Sequence, residues 1–144
     1  MAMFLRKPPA DDRWEQLNAE YLNYRRRTAF ELQQAGGKAA AKTAAAFLPL
    51  YDDLQRALAS SCTDPAFYKG VELIFRELQS ILAELKVKPM DSVGKIFNPD
   101  YHEAVRHISD PKYRREEIVE VLQVGFTMDE EVIRHAKVVV ANCD

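Results

Sequence analysis

Three histidines, two cysteines and a few paired carboxylates are the residues from which this chain could build chemistry. His102, Glu103 and His107 fall close together, as metal ligands do. Their spacing matches no zinc signature, and no cysteine is near them. The expected role of such histidines is a hydrogen bond to backbone at a strand or turn. Cys62 stands in a Ser-Ser-Cys-Thr-Asp stretch without a histidine or basic neighbour, so nothing there would hold its thiol as a nucleophilic thiolate. Cys143 is far from it in sequence; the two form no disulfide framework and fit a reducing cytoplasm. Asp52 and Asp53 precede Arg56, and Glu116 and Glu117 follow Arg114 and Arg115. These read as solvated faces with ion pairs of about a few tenths of a kcal/mol each. Five scattered glycines, at 36, 37, 70, 94 and 125, make no loop that could cradle a phosphate. No enzyme activity, metal or cofactor is expected.

Arg25, Arg26 and Arg27 are the one local basic cluster. Three consecutive helical residues spread over about 200°, so they cannot face one phosphate backbone together. With 20 basic and 22 acidic side chains the chain carries a formal charge of -2, which excludes a wholly basic nucleic-acid surface. The longest apolar run, Ala44 to Tyr51, contains Pro49 and is far short of the ~20 residues of a membrane span. The opening MAMFLRKPPADD lacks the apolar core of a signal peptide. Neither nucleic acid nor membrane is expected as a partner.

The elements that must position these residues fall into three zones. Residues 1–10 read as a short flexible tail. Asp11 or Asp12 then caps a helix in which Trp14, Leu17, Tyr21, Tyr24 and Thr28 recur at spacings of three and four. Gly36 and Gly37 each cost about 1 kcal/mol of helix propensity relative to Ala, but seven alanines between positions 35 and 46 oppose them. One long, locally weak helix over about 12–48 is predicted, roughly 55 Å long. Its apolar stripe has no internal cover, and a second copy of the chain is the simplest one. Pro49 is expected to end or bend that helix. Leu50, Leu54 and Leu58 then make a short amphipathic helix. Asp64 caps a third, with Pro65 at its first position and Phe67, Val71, Ile74, Leu78, Ile81, Leu82 and Leu85 on its apolar face. The last two pair as a hairpin, and two-fold symmetry would double it into a four-helix bundle.

From about residue 87 the period changes. Ile118 to Val124 and Val132 to Val140 are β-rich and are joined by an acidic turn at Asp129, Glu130 and Glu131. They predict a hairpin, to which segments around Val93, Ile96, Val105 and Ile108 add shorter strands. The fold class is α+β: a long helix, a hairpin and a small C-terminal β domain.

These segments resemble the GrpE family, nucleotide-exchange factors of the 70-kDa heat-shock chaperone DnaK. The likeness lies in EYLNYRRRTAFE at 20–31, FLPLYDDLQRAL at 47–58, GVELIFRELQSIL at 70–82, IFNPDYHEAV at 96–105 and VEVLQVGFTMDEEVIRHAKVVV at 119–140. The resemblance implies a parallel homodimer with a dimerisation helix over 11–48, a hairpin over 49–86 and a β wing over 87–144. It implies a cytoplasmic co-chaperone that opens the DnaK nucleotide-binding domain to release ADP, in cooperation with a DnaJ-type co-chaperone. The alternative is a dimeric scaffold of the same fold with weak or no exchange activity.

Carried onto this chain, the resemblance makes Arg134, Met128, Phe126, Gly125 and Glu103 the chaperone-binding residues, with Arg25, Arg27 and Lys42 as secondary contacts. Asn98, Pro99 and His102 become a structural motif of the wing. Trp14, Leu17, Tyr21, Tyr24, Leu50, Leu54, Leu58, Val71, Ile74, Leu78 and Ile81 become the dimer and bundle core. Arg134 has a competing duty, an internal salt bridge to Asp129, Glu130 or Glu131. The family usually has proline at the position of His135, and Arg or Lys near that of Glu131.

Overall fold

The computed structural model describes residues 9–143, with side chains from Asp12 onward. Of the tail expected at 1–10, all but Pro9 and Ala10 lie outside the described residues, and those two already belong to helix α1 (Pro9–Ala59). Proline suits a first helical turn because its missing N–H has no intrahelical partner there. Asp11 and Asp12 therefore sit inside the helix and not at the cap position expected for one of them. Gly36 and Gly37 lie within the same unbroken helix, with open space where a Cβ would be.

Pro49 is the larger correction. Helix α1 does not end there but continues through it to Ala59, so the short helix expected after Pro49 is the last part of α1. An interior proline removes one backbone donor and about 3 kcal/mol of helix propensity. Tertiary packing outweighs it: Ala44, Leu48 and Tyr51, on the turns either side, are buried in one apolar cluster.

The chain forms two compact units, one up to Ala40 and one from Ala41 onward. In the first, Trp14, Leu17, Tyr21 and Tyr24 stand more than half exposed. In the second, α1 is followed by α2 (Pro65–Glu84), capped as predicted: Asp64 accepts from the Ala66 and Phe67 amides at 3.0 and 3.2 Å. Lys86, in the left-handed region at φ 61°, turns the chain out of α2 into β1 (Val87–Pro89).

The β segment is more divided than its pattern predicts. β2 (His102–Ile108), β3 (Glu117–Gln123), β4 (Phe126–Met128), β5 (Glu131–Arg134) and β6 (Ala136–Ala141) make two three-stranded sheets, β1-β4-β5 and β2-β6-β3. The acidic turn does join a hairpin, β4 to β5, through Asp129 and Glu130 at φ 48° and 70°. Both expected strands, however, leave one sheet for the other, at Val124–Gly125 and at His135. Val105 and Ile108 fall in β2, which runs parallel to β6; Ile96 makes a single bridge to Glu117.

Two apolar clusters result. The first joins Ala44, Leu48 and Tyr51 of α1 and Leu82 of α2 to Val87 and Phe126, with Phe75, Val124 and Ile133 against it. Tyr51 packs its ring on Phe75 at 4.9 Å and edge-on to Phe126 at 5.0 Å. The second cluster lies under β6: Ile118, Ala136, Val138 and Val140, with Met90, Phe97 and Ala104.

Candidate functional site

Arg134, at the end of β5, lies opposite Phe126 in the strand register, and its guanidinium folds back over the Phe126 ring, 5.3 Å from the centroid. Nε and Nη2 donate to the Val124 carbonyl at 3.0 and 2.6 Å. Nη1 and Nη2 donate to the two oxygens of Asp52 at 2.7 and 2.8 Å. Four of its five N–H donors are thus engaged inside the molecule. The Gln123 amide also donates to Asp52, at 3.0 Å. The internal salt bridge considered for Arg134 is therefore present, but with Asp52 on α1 and not with the acidic turn. Asp129 instead faces Lys86 at 3.7 Å. Asp53 meets the expectation of a solvated pair, bonding Arg56 on the helix surface, whereas Asp52 does not.

Gly125 and Phe126 are both buried, and Met128 is partly buried against the first cluster. A Cβ on Gly125 would meet Ala136 N at 2.5 Å, which is why the crossing between the sheets carries glycine. Glu103 is exposed on β2 beside Lys137 of β6. Arg134, Phe126 and Gly125 are thus drawn together. Asn98, Pro99 and His102 form a separate turn. Arg25 and Arg27 belong to the first unit, Arg25 over the Tyr21 ring and Arg27 with Glu31 at 3.7 Å; Lys42 is exposed at the start of the second.

In the turn, the Asn98 side chain accepts from the Asp100 amide, and its carbonyl accepts from the Tyr101 and His102 amides. The Asn98 amide donates to His102 Nδ1 at 3.0 Å, and Nε2 lies 3.1 Å from Ser92 Oγ. Because Nδ1 is an acceptor, the ring proton must be on Nε2, which donates to the serine. The lone pair that a general base would need faces Asn98, so Ser92 and His102 are not a nucleophile and its base. Burial, and then the charge of Lys95, hold His102 below the ordinary histidine value. Among the described residues no three His, Cys, Asp or Glu side chains converge as a metal cluster, and no helix is long and apolar enough to cross a membrane.

The family model for GrpE matches residues 8–142. The chain belongs to the GrpE family. It is 40% identical to Protein GrpE of Clostridium acetobutylicum over 92% of this chain and 66% of that protein. It is 37% identical to Protein GrpE of Clostridium beijerinckii over 91% of this chain and 63% of that protein. For Protein GrpE of Bacteroides fragilis the identity is 38%, covering 90% and 68%. The chain thus spans about two-thirds of the length of these GrpE relatives.

Asp52 on α1, and Gln123 and Ser92 in the β segment, are the residues whose part in the site sequence reasoning missed. Asp52 carries no local signal, being one of two adjacent carboxylates on a helix. Ser92 carries none either, although its partner His102 was singled out.

Proposed function

We propose that this chain is an adenyl-nucleotide exchange factor for a DnaK-type chaperone, a cytoplasmic co-chaperone that acts as a homodimer alongside a DnaJ-type protein. The match to the GrpE family over residues 8–142 carries this reading. The protein makes and breaks no bond. It binds the open form of the nucleotide-binding domain better than the closed, ADP-loaded form, and by reciprocity weakens ADP binding.

The half-exposed Trp14, Leu17, Tyr21 and Tyr24 support pairing of two copies along α1; the parallel sense is taken from the family resemblance. Leu50, Ile74 and Ile81, about half exposed in one chain, support a four-helix bundle completed by the second, with Leu54, Leu58, Val71 and Leu78 beside them. On the wing, Glu103 and Met128 offer atoms to the chaperone, while Gly125 and Phe126 shape the surface from beneath. Arg25, Arg27 and Lys42 supply secondary contacts from α1. Arg134 acts from inside, since four of its five donors are already engaged.

Release of a fluorescent ADP analogue from the cognate chaperone tests the reading. Acceleration that saturates with added protein is expected. Binding without acceleration would make the protein a scaffold.

A further inference from the structure

The wing meets the helices in two ways that differ in kind. The first cluster is apolar contact, whose driving force resists separation but is itself non-directional. The bond from Arg134 to Asp52 is directional. Both carboxylate oxygens are taken, at 2.7 and 2.8 Å, by the planar fork of one guanidinium. That guanidinium is held on its own side by two bonds to Val124 O and by the Phe126 face. Its side chain is 18% exposed and that of Asp52 is 22%, so water competes weakly for the pair. Gln123, at the end of β3, reaches the same carboxylate at 3.0 Å. Side chains from both sheets therefore converge on one residue of α1.

We propose that Asp52 and Arg134 form a strut that fixes the angle of the β wing on α1, and that both are positioning residues for nucleotide exchange. The proposal rests on the exchange reading above. A wing that prises a chaperone lobe outward must transmit force to the helix behind it. A wing free to rock yields instead, and its preference for the open form is lost. Affinity depends on the contact face and changes less.

Asp52→Asn separates the two roles. It keeps the shape of the side chain and leaves Arg134 bonded to Val124 and Phe126, so the wing retains its internal contacts. Wing angle is read by electron–electron distance measurement between spin labels on Cys62, exposed in the α1–α2 turn, and on Lys112→Cys, exposed between β2 and β3. Cys143 is replaced by serine in all chains, and labelled chains are diluted into unlabelled ones so that each distance lies within one protomer.

With Asp52→Asn the distance distribution should broaden about twofold. Saturating ADP release should fall about tenfold, while the half-saturating concentration changes less than about threefold. Arg134→Lys keeps the charge but loses the fork and should shift both readouts the same way. An unchanged distribution, or full exchange from a broadened one, overturns the proposal. Early melting of the Asp52→Asn wing also overturns it, in favour of a purely stabilising pair. If the unsubstituted protein accelerates nothing, the exchange reading fails by itself, and the distances still decide the strut.

Discussion

Gly125→Ala is a sensitive perturbation of the wing because two opposing effects meet there and geometry decides between them. Gly125 has no positive φ, so alanine suits its backbone and would by chain entropy stabilise by about 0.5–1 kcal/mol. The added Cβ, however, would lie 2.5 Å from Ala136 N, 2.9 Å from Ala136 Cα and 2.7 Å from Met90 Sδ. The sulfur is the end of a flexible side chain and can move. Ala136 cannot: it opens β6, the central strand between β2 and β3, and its amide donates to Tyr101 O at 3.0 Å. Overpacking costs about 1–3 kcal/mol, and weakening the Ala136 hydrogen bond about 1 more. The net expectation is a wing destabilised by about 2–3 kcal/mol. In urea, with hydrogen exchange read at the β6 amides, this appears as a lower midpoint with an unchanged slope. Met90→Ala in the same chain should restore little, since the two backbone contacts remain. Stability within about 0.5 kcal/mol of the unsubstituted protein, or full rescue by Met90→Ala, would refute the argument, because either means that β6 gives way.

Four further outcomes are expected. His102 is held below its ordinary 6.5, so the folded wing favours the neutral ring; its contribution is complete above about pH 6.5 and declines as pH falls from there toward the lowered folded value. His102→Gln should therefore cost more wing stability at pH 8 than at pH 5.5, measured by thermal melting at each pH. Glu130→Gly relieves a left-handed residue in the β4–β5 turn and should raise wing stability by about 1 kcal/mol in urea titrations. Gly36→Ala with Gly37→Ala should stabilise α1 by about 1 kcal/mol per site, seen by circular dichroism on heating. Ile74→Asp would be harmless in a lone chain, where Ile74 is 56% exposed, but should dissociate the proposed bundle, which light scattering reads as a halved mass.

What could be read from the sequence follows the range of the forces involved. The Asp64–Pro65 start of α2 was legible because a cap and its helix lie within four residues. The unbroken helix at Gly36 and Gly37 was legible because neighbouring alanines compensate locally. Pro49 misled because its local penalty is offset by Leu48 and Tyr51 packing on Phe75 and Phe126, which come from later elements. The β-rich segments were legible as strands, but their passage from one sheet to the other was not. It depends on Gly125 touching Ala136, and no alternation of residue types records that contact. Arg134 stood out as either a chaperone contact or one end of an internal salt bridge, and the structure shows a salt bridge, though not to the acidic turn. Its partner Asp52 lies 82 positions away and resembles its solvated neighbour Asp53.

The distribution of core residues links stability to the proposed action. In the second cluster the buried residues all belong to the β strands, so that sheet has a hydrophobic base of its own. In the first, Val87 and Phe126 are the buried contributions of the β segment, and Ala44, Leu48, Tyr51 and Leu82 come from the helices. The sheet β1-β4-β5 therefore has little core without α1 and α2, and Phe126 gives up about 1.5–3 kcal/mol of burial if it leaves them. Arg134 sits at the edge of this shared cluster and reaches further along α1, to Asp52. Loss of helical order around Leu48 and Tyr51 would strip both the packing and the strut from the wing at once. A wing built this way holds its angle only while the end of α1 is folded, so any condition that unwinds that segment should end the proposed exchange before the second cluster melts.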